Sequence, residues 1–278
     1  MSKKVQVTLT SNESKVLIAK AAAVHPALLE CMKNGGRVLL AGGTTVSALS
    51  EELGFGALRI SGRIAAGGTR TALEISDGTA HNLLIYRGKP ENVDDSICRT
   101  AESMGAGDLI VAGANAIDPY GRAALAFAAL GGGSRGYALH SAYMQGVPML
   151  VLSGINKLIP DLAPALAQSS RTGVDTSMGC AIGLYNLFAP IITEVRAFEL
   201  LFGIEAVVIA GSGIGDGDGS RTFVLNGEEE AVQKGWELVL SIKGADVSGS
   251  EHSLKICCGG CVHCARHLGC IYKAEAMA

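Results

Sequence analysis

The residues with the clearest chemical potential are five cysteines near the end of the chain. Cys257, Cys258, Cys261, Cys264 and Cys270 fall within fourteen residues. The first five residues of the chain lack the apolar core of a signal peptide, so we expect a cytoplasmic protein. Thiols stay reduced in the cytoplasm, where clustered cysteines bind metal more often than they form disulfides. The tail is therefore predicted to hold a metal centre.

The spacing of these cysteines leaves the identity of the metal open. Cys258, Cys261 and Cys264 form a C-x-x-C-x-x-C motif, the pattern that wraps thiolates around a [4Fe-4S] cluster. Cys270 or Cys257 would supply the fourth ligand. Zinc is the alternative, because tetrahedral zinc sites accept C-x-x-C pairs and two histidines lie in the same segment. Free or redox-active thiols are a third possibility.

A second candidate site follows the apolar run 37–41, which is predicted to be a buried strand. Gly42, Gly43, Thr44 and Thr45 come directly after it and open a helical pattern. Free backbone N–H groups at a helix start, with its positive end, bind phosphate or carboxylate, and the threonine hydroxyls add donors. The alternative is that Thr44 only caps the helix after a tight turn.

Two more glycine-rich loops accompany the next pair of apolar runs, 108–113 and 146–152. Such continuous runs are typical of strands covered on both faces, and ligands bind beyond the ends of such strands. The residues that we assign to a site here are Asn115, Gly132, Gly133, Arg135 and Lys157 for binding an anion, and Asp118 and His140 for proton transfer. Simpler roles remain open for three of them: Asp118 as a turn residue, His140 as a packed histidine and Lys157 as a solvated lysine.

With these loops in place, the sequence resembles ribose-5-phosphate isomerase in three segments. Residues 113–119, G-A-N-A-I-D-P, are similar to the G-A-D-E-I-D-P segment of that enzyme, and residues 131–133 to its K-G-G-G segment. Residues 42–45 are similar to its phosphate-proximal G-x-G-S-T loop. The same loops occur across the superfamily that includes amino-sugar-phosphate deaminases and CoA transferases. The resemblance implies a mostly parallel, Rossmann-like sheet with its site at the strand ends.

The catalytic residues of the isomerase are not matched. That reaction removes a proton next to a carbonyl and requires a carboxylate base and charged groups around the enediolate. Asn115 and Ala116 stand where the acidic pair is expected, and Leu130 stands in place of the lysine. We therefore expect that this chain is not a working ribose-5-phosphate isomerase.

The composition excludes several classes of partner. The chain has 278 residues, of which 48% are hydrophobic and 18% charged, and its 37 glycines fit an α/β protein with many tight loops. A net charge of -3 gives no basic surface, so nucleic acid is excluded as an expected partner. The uncharged stretch 176–193 contains glycines and a proline, so we expect no membrane span. We expect a homo-oligomer.

The predicted architecture is an α/β domain over residues 1–243, followed by a hinge and a Cys-rich metal-binding segment over residues 244–278. The fold class is α/β, with a mostly parallel Rossmann-like sheet of the ribose-5-phosphate isomerase and CoA transferase type. Helices are predicted over residues 182–202, with a break at Pro190, and a buried strand over residues 206–210.

These patterns favour a protein that binds a small anionic metabolite, such as a sugar phosphate, a nucleotide or a CoA compound. It would act as an enzyme of the isomerase, transferase or lyase type or as a sensor. The alternative is an iron-sulfur or zinc protein with a redox or desulfurising role, in which the α/β body is a scaffold.

Overall fold

The protein is described by a computed structural model that covers residues 1–72, 78–211, 213–255, 257 and 267–275. The helices are α1 (Ser11–Ala23), α2 (Pro26–Lys33), α3 (Thr44–Glu52), α4 (Ile97–Ser103), α5 (Gly133–Met144), α6 (Leu162–Gln168), α7 (Glu194–Phe202), α8 (Glu229–Ser241) and α9 (Tyr272–Glu275). The strands are β1 (Ser2–Leu9), β2 (Val38–Ala41), β3 (Gly62–Ala65), β4 (Gly68–Thr71), β5 (Asn82–Tyr86), β6 (Lys89–Asn92), β7 (Leu109–Gly113), β8 (Ala116–Ile117), β9 (Ala123–Phe127), β10 (Met149–Leu152), β11 (Gly183–Leu187), β12 (Ile191–Ile192), β13 (Glu205–Gly211) and β14 (Arg221–Glu228).

A six-stranded mixed sheet forms the centre, in the order β12-β10-β7-β2-β5-β6. The pairs β12–β10, β10–β7 and β7–β2 are parallel, whereas β5 and β6 add two antiparallel pairs at one side. The predicted α/β class is confirmed. The apolar runs at residues 37–41, 108–113 and 146–152 supply β2, β7 and β10, as their composition predicts.

Both faces of this sheet are covered, which explains why β2, β7 and β10 are continuously apolar. On one face, Leu40, Val111 and Leu150 belong to a core that also includes residues of α1, α3 and α7. On the other face, alternate residues such as Leu39 and Ile110 join a second core with residues of α4 and α5. A strand buried on both sides cannot alternate in polarity, because each side chain meets apolar neighbours.

Three smaller sheets surround the centre. β1, β14 and β13 form an antiparallel sheet, as do β11, β9 and β8, and β3 pairs with β4. The prediction of helices over residues 182–202 is wrong for its first half, which forms β11 and β12, and only α7 is helical. The predicted strand at residues 206–210 exists as part of β13, but it lies at a sheet edge with Val207 48% and Ile209 51% exposed, so its predicted burial is wrong.

The β3–β4 hairpin joins the tail to the body. The outer side of β4 binds residues 178–180, because Thr69 donates its N–H to the Met178 carbonyl and accepts the N–H of Cys180 at 2.7 Å. At the next position along β4, the Thr71 carbonyl accepts the N–H of Cys257 at 2.8 Å. Consecutive positions on one strand edge are therefore shared by the body and the tail.

Among the described residues, no helix is both long enough and apolar enough to cross a membrane.

Candidate functional site

Four parallel strands end at the same edge of the central sheet. Their register aligns Ala41 with Ala112, Gly113 with Leu152, and Leu152 with Ile192. The segments that follow these strands therefore lie together at one edge of the sheet, which we call the carboxyl edge. They comprise residues 42–45, 113–115, 153–157 and 193–194. This is where open α/β sheets bind ligands.

The loop after β2 has the features of an anion-binding turn. Gly43 has a φ of +128° and precedes the first turn of α3, which has no side-chain cap. A Cβ on Gly42 would lie 2.3 Å from the imidazole of His81, so only glycine fits there. Thr45 is 2% exposed, and its Oγ1 has no hydrogen-bond partner among the described residues. A buried hydroxyl without a partner costs about 1–3 kcal/mol.

Arg135 brings the second glycine-rich loop to this one. Gly132 and Gly133 have φ values of +77° and +65° and turn the chain into α5, where Arg135 occupies the first turn. Its guanidinium donates to the carbonyl oxygens of Ala41 and Gly42, the latter at 2.8 Å, and burial lowers its pKa to about 10. Arg135 thus lies at the carboxyl edge, with its described bonds going to neutral oxygens.

Lys157 lies at the same edge, after β10. Its Nζ donates to the carbonyl oxygen of Ala114, just beyond β7, at 2.6 Å. Burial lowers its pKa to about 8, against the opposing effect of Glu194.

Glu194 is a buried carboxylate that joins three elements at the carboxyl edge. It is 0% exposed and accepts the N–H of Ile155 at 2.9 Å, and the Ser14 side chain on α1 helps to lower its pKa. Burial raises its pKa, and these hydrogen bonds offset part of the rise. The start of α1, the start of α7 and the turn that carries Lys157 therefore meet around one acid.

Lys15 and Arg63 complete a group of cations here. Lys15 follows Ser14 on α1, and burial together with the charges of Lys157 and Arg63 lowers its pKa to about 8. Its Nζ donates to Asn12 at 2.9 Å, and Arg63 donates to the Ser253 carbonyl oxygen. We call Lys15, Arg63 and Lys157 the cation cluster. Within the described residues, none of the three forms an ion pair with a carboxylate.

Asn115 and Asp118 have structural contacts. The Asn115 side-chain oxygen accepts the N–H of Ala126 at 3.0 Å across the β8–β9 hairpin. Burial favours a higher pKa for Asp118, but hydrogen bonds from Arg122, Leu162 and other neighbours outweigh it and lower the pKa to about 2. A carboxylate held this firmly stabilises a turn, and its contacts do not support the predicted role as a base.

His140 lies elsewhere, on an exposed part of α5. It lines a cleft of about 420 Å³ together with Gly132, Tyr137, Arg171 and Tyr185. No residue of the cation cluster lines this cleft, and no described contact joins His140 to Asp118. Proton transfer by Asp118 or His140 stays a prediction.

Of the predicted metal ligands, Cys258, Cys261 and Cys264 lie outside the described residues. Cys257 is bound to β4, and Cys270 is paired with Ser177, which precedes the segment on the outer side of β4. Within the described part of the chain, no three histidine, cysteine or acidic side chains are grouped so that they could hold a metal ion.

Lys15, Arg63 and Glu194 are not among the site residues predicted from the sequence. Lys15 reads as a surface residue of an amphipathic helix, and Glu194 reads as an acidic residue that favours a helix start. Only the packing of α1 and α7 over the carboxyl edge brings Lys15 close to Glu194, whereas Arg63 comes from β3. A partial signal exists in Glu194, since it opens a mostly apolar helix directly after the strand β12.

The sequence matches no known protein-family model, and no curated protein shows significant similarity to it.

Proposed function

We propose that this protein binds a small anionic metabolite at the carboxyl edge, as a cytoplasmic enzyme of the isomerase, transferase or lyase type or as a sensor. The observation that carries the proposal is the cation cluster. Lys15, Arg63 and Lys157 are half-buried, and their described hydrogen bonds go to amide or carbonyl oxygens. Positive charge that forms no ion pair with a carboxylate in the described part of the chain, at the ligand edge of a parallel sheet, favours an anion.

Glu194 is a buried acid beside the cluster that forms no ion pair with it among the described residues. Both Glu194 oxygens accept the N–H of Ile155, and burial raises the pKa of this carboxyl group. A phosphate or carboxylate of the ligand would supply the missing negative charge. Two opposite charges 4 Å apart attract by about 4 kcal/mol at the effective dielectric constant near a protein surface.

The start of α3 supports the same ligand class. Its first N–H groups follow Gly43 without a side-chain cap, and Thr45 holds a buried hydroxyl that has no partner among the described residues. An anion at a helix start gains about 0.3–1 kcal/mol from the helix dipole.

We infer that the sheet is of the ribose-5-phosphate isomerase and CoA transferase type. Support comes from the glycine loops after β2 and β7, and from Arg135, which links the start of α5 to Gly42. The isomerase activity itself is not proposed, because Asn115 replaces an acidic residue and its side-chain oxygen accepts the N–H of Ala126.

The second candidate function is that of an iron-sulfur or zinc protein, and the position of Arg70 favours it. Arg70 donates to the Cys257 carbonyl oxygen and stacks on Tyr272, two residues after Cys270. Both flanks of the Cys-rich segment are therefore fixed to the same hairpin. Thiolates that hold a metal need such anchoring at their flanks.

Thermal unfolding tests the anion site. We expect sugar phosphates, nucleotides, CoA esters or inorganic phosphate to raise the melting temperature of the wild type, because ligands that bind only the folded state stabilise it. Lys157→Gln and Arg63→Gln should remove most of that shift. Lys20→Gln is the matched control, since Lys20 lies on α1 and pairs with Glu52 instead. Equal shifts in all variants, or none in the wild type, would contradict the proposal.

Anaerobic purification tests the metal candidate. Brown protein with acid-labile sulfide would indicate the cluster, and colourless protein with stoichiometric zinc would indicate zinc. Protein that contains neither metal would refute this candidate and leave the anion site untouched.

A further inference from the structure

The cleft that contains His140 lies between the β8–β9–β11 sheet and helix α5. On the sheet side it is lined by Phe127 of β9 and by Gly183 and Tyr185 of β11. Phe127 pairs directly with Gly183 in the antiparallel ladder, and Tyr185 follows Gly183 by two residues on the same strand. Side chains alternate between the faces of a sheet, so these three positions lie on one face.

One face of the start of α5 forms the other side of the cleft. Gly132, Gly136 and His140 follow one another at a spacing of four residues, and Tyr137 also lines the cleft. Residues three and four apart share one face of a helix. The Tyr137 hydroxyl donates to Glu102 at 2.7 Å, which restrains a ring that is 50% exposed. The two sides of the cleft are therefore a half-open aromatic surface and a helix face with little side-chain bulk.

Gly183 leaves a gap on the sheet side of the cleft. A Cβ at this position would have no heavy atom within 4 Å, and the φ of Gly183 is not positive, so its backbone conformation does not require glycine. The gap lies opposite Phe127, whose ring meets that of Tyr185 edge-on with 6.1 Å between their centres. A flat ring that enters the gap can contact both in the edge-on or offset geometry that aromatic pairs prefer.

Arg171 brings positive charge to this cleft. Its Nε–H donates to the Ala128 carbonyl oxygen at 2.6 Å, which restricts the orientation of the guanidinium. No acidic side chain is among the described residues that line the cleft. A guanidinium matches a carboxylate in geometry and charge, because two parallel N–H groups reach the two carboxylate oxygens. His140 adds an imidazole that can donate or accept a hydrogen bond.

We propose that this cleft binds a small aromatic carboxylate, whose ring fills the gap at Gly183 beside Phe127 and whose carboxylate pairs with Arg171. The volume of about 420 Å³ lies within the range of small-molecule sites. One arginine matches the single charge of a carboxylate. This is a second site, separate from the anion site at the carboxyl edge, because no residue of the cation cluster lines it.

Isothermal titration calorimetry tests the proposal, with 2-naphthoate as the probe. We expect 2-naphthoate to bind the wild type with one molecule per chain. The amide 2-naphthamide has the same rings without the charge, and it should bind about tenfold more weakly or worse, because it lacks charge-assisted hydrogen bonds to a guanidinium. Decahydro-2-naphthoate keeps the charge but is not flat, and it should also bind more weakly.

Gly183→Val tests the position of the ring. Valine suits a strand and fills the gap, so the variant should bind 2-naphthoate about tenfold more weakly or worse. Gly105→Val is the matched control, because a Cβ there also has no heavy atom within 4 Å and Gly105 does not line the cleft. Circular dichroism and thermal unfolding confirm that each variant is folded, and Gly183→Ala provides a milder variant of the same kind. Equal affinities of Gly183→Val and Gly105→Val would overturn the proposal.

Arg171→Gln tests the charge pair. The variant should bind 2-naphthoate only as weakly as the wild type binds 2-naphthamide, and its affinity for 2-naphthamide should not change. Arg196→Gln is the control, since Arg196 pairs with Glu199 on α7 and should not affect either probe. An equal loss of affinity for both probes in Arg171→Gln would mean that the arginine acts through packing and that the carboxylate assignment is wrong.

Lys157→Gln separates this site from the carboxyl edge. It should leave the affinity for 2-naphthoate unchanged, and inorganic phosphate should not compete with 2-naphthoate. If 2-naphthoate binds in Gly183→Val but not in Lys157→Gln, the probe occupies the carboxyl edge and the second site is wrong. If 2-naphthoate does not bind the wild type while phosphate still raises the melting temperature, the second site is wrong and the anion site stands.

Discussion

The guanidinium of Arg70 lies 3.6 Å from the centre of the Tyr272 ring and donates to the Cys257 carbonyl oxygen. Arg70 belongs to β4 and is buried, whereas Cys257 and Tyr272 lie on the two sides of the Cys-rich segment. One side chain of the body therefore fixes both flanks of the tail. The Tyr272 hydroxyl adds a hydrogen bond to the Gly67 carbonyl oxygen at 2.8 Å.

We predict that Arg70→Gln loosens the tail without unfolding the body. The substitution removes a desolvated cation–π contact and charged hydrogen bonds, together worth about 2 kcal/mol of local stability. Limited proteolysis should then cut within residues 244–278 about tenfold faster or more, because cleavage follows the population of the open form. Arg87→Gln is the matched control, since Arg87 stacks on Tyr86 at 5.0 Å in an exposed turn. Equal cleavage of both variants would contradict the anchoring role.

A second prediction concerns Asp118, which we interpret as a structural residue. Asp118→Asn should lower the free energy of unfolding by about 3 kcal/mol at pH 7, because a buried carboxylate loses its charged hydrogen bonds to Arg122 and to the Leu162 N–H. Asp161→Asn is the control: Asp161 also pairs with Arg122 but is 44% exposed, so its loss should cost under about 1 kcal/mol. Urea unfolding measures both values.

The pH dependence of the same variants gives an independent check. The folded state lowers the pKa of Asp118 to about 2, below the unfolded value of about 3.9. The stabilisation by this carboxylate is therefore complete above about pH 4 and is lost as the pH falls towards 2. The stability difference between the wild type and Asp118→Asn should shrink over this interval. A constant difference would show that the carboxylate charge is not the cause.

The central strands are predictable from the sequence because strands that are buried on both faces are apolar at every position. Every residue of β7, 109–113, is apolar or glycine, and every residue of β2, 38–41, is apolar. β12 has no such pattern in the sequence. It consists of two residues, Ile191 and Ile192, and is defined only by its pairing with β10. The uncharged segment before it therefore predicts a helix, although residues 183–187 form a strand that pairs with β9.

The candidate site was only partly predictable, for a related reason. Glycines after strands mark the carboxyl edge, and Gly42 and Arg135 are in contact there as the loop pattern suggests. What each polar side chain does, however, depends on which partners it contacts in the folded protein. Lys15 becomes part of the site only because α1 packs against α7, which carries Glu194 more than a hundred residues away along the chain, and no local pattern carries that information.

A third prediction uses the lowered pKa of Lys15. A lysine whose folded-state pKa is about 8 binds its proton less tightly than in the unfolded chain, where the pKa is about 10.4. Below pH 8 the folded state therefore carries an unfavourable charge, and this penalty disappears as the pH rises from 8 to 10. Lys15→Gln should be more stable than the wild type at pH 7 by on the order of 1 kcal/mol, after allowance for solvent screening of a half-buried group.

Urea unfolding between pH 7 and pH 10, in buffers without polyvalent anions, measures this effect. The advantage of Lys15→Gln should fade above pH 8. Lys20→Gln serves as the control and should show no such advantage, because Lys20 is paired with Glu52. A Lys15→Gln variant that is less stable than the wild type at pH 7 would mean that the cation cluster imposes no strain.

The last prediction concerns Thr45, whose buried Oγ1 has no described partner. Thr45→Val replaces the hydroxyl by a methyl group of similar size, so it should raise the unfolding free energy of the unliganded protein by about 1 kcal/mol. Most core substitutions instead lower the free energy of unfolding.

If the Thr45 hydroxyl binds the anion, Thr45→Val should also lose part of the increase in melting temperature that phosphate causes in the wild type. Thr8→Val, on the exposed face of β1, is the control and should change neither quantity by much. A variant that is more stable but keeps the full phosphate shift would exclude Thr45 from the anion site, because a hydroxyl that contacts the ligand cannot be removed without loss of binding.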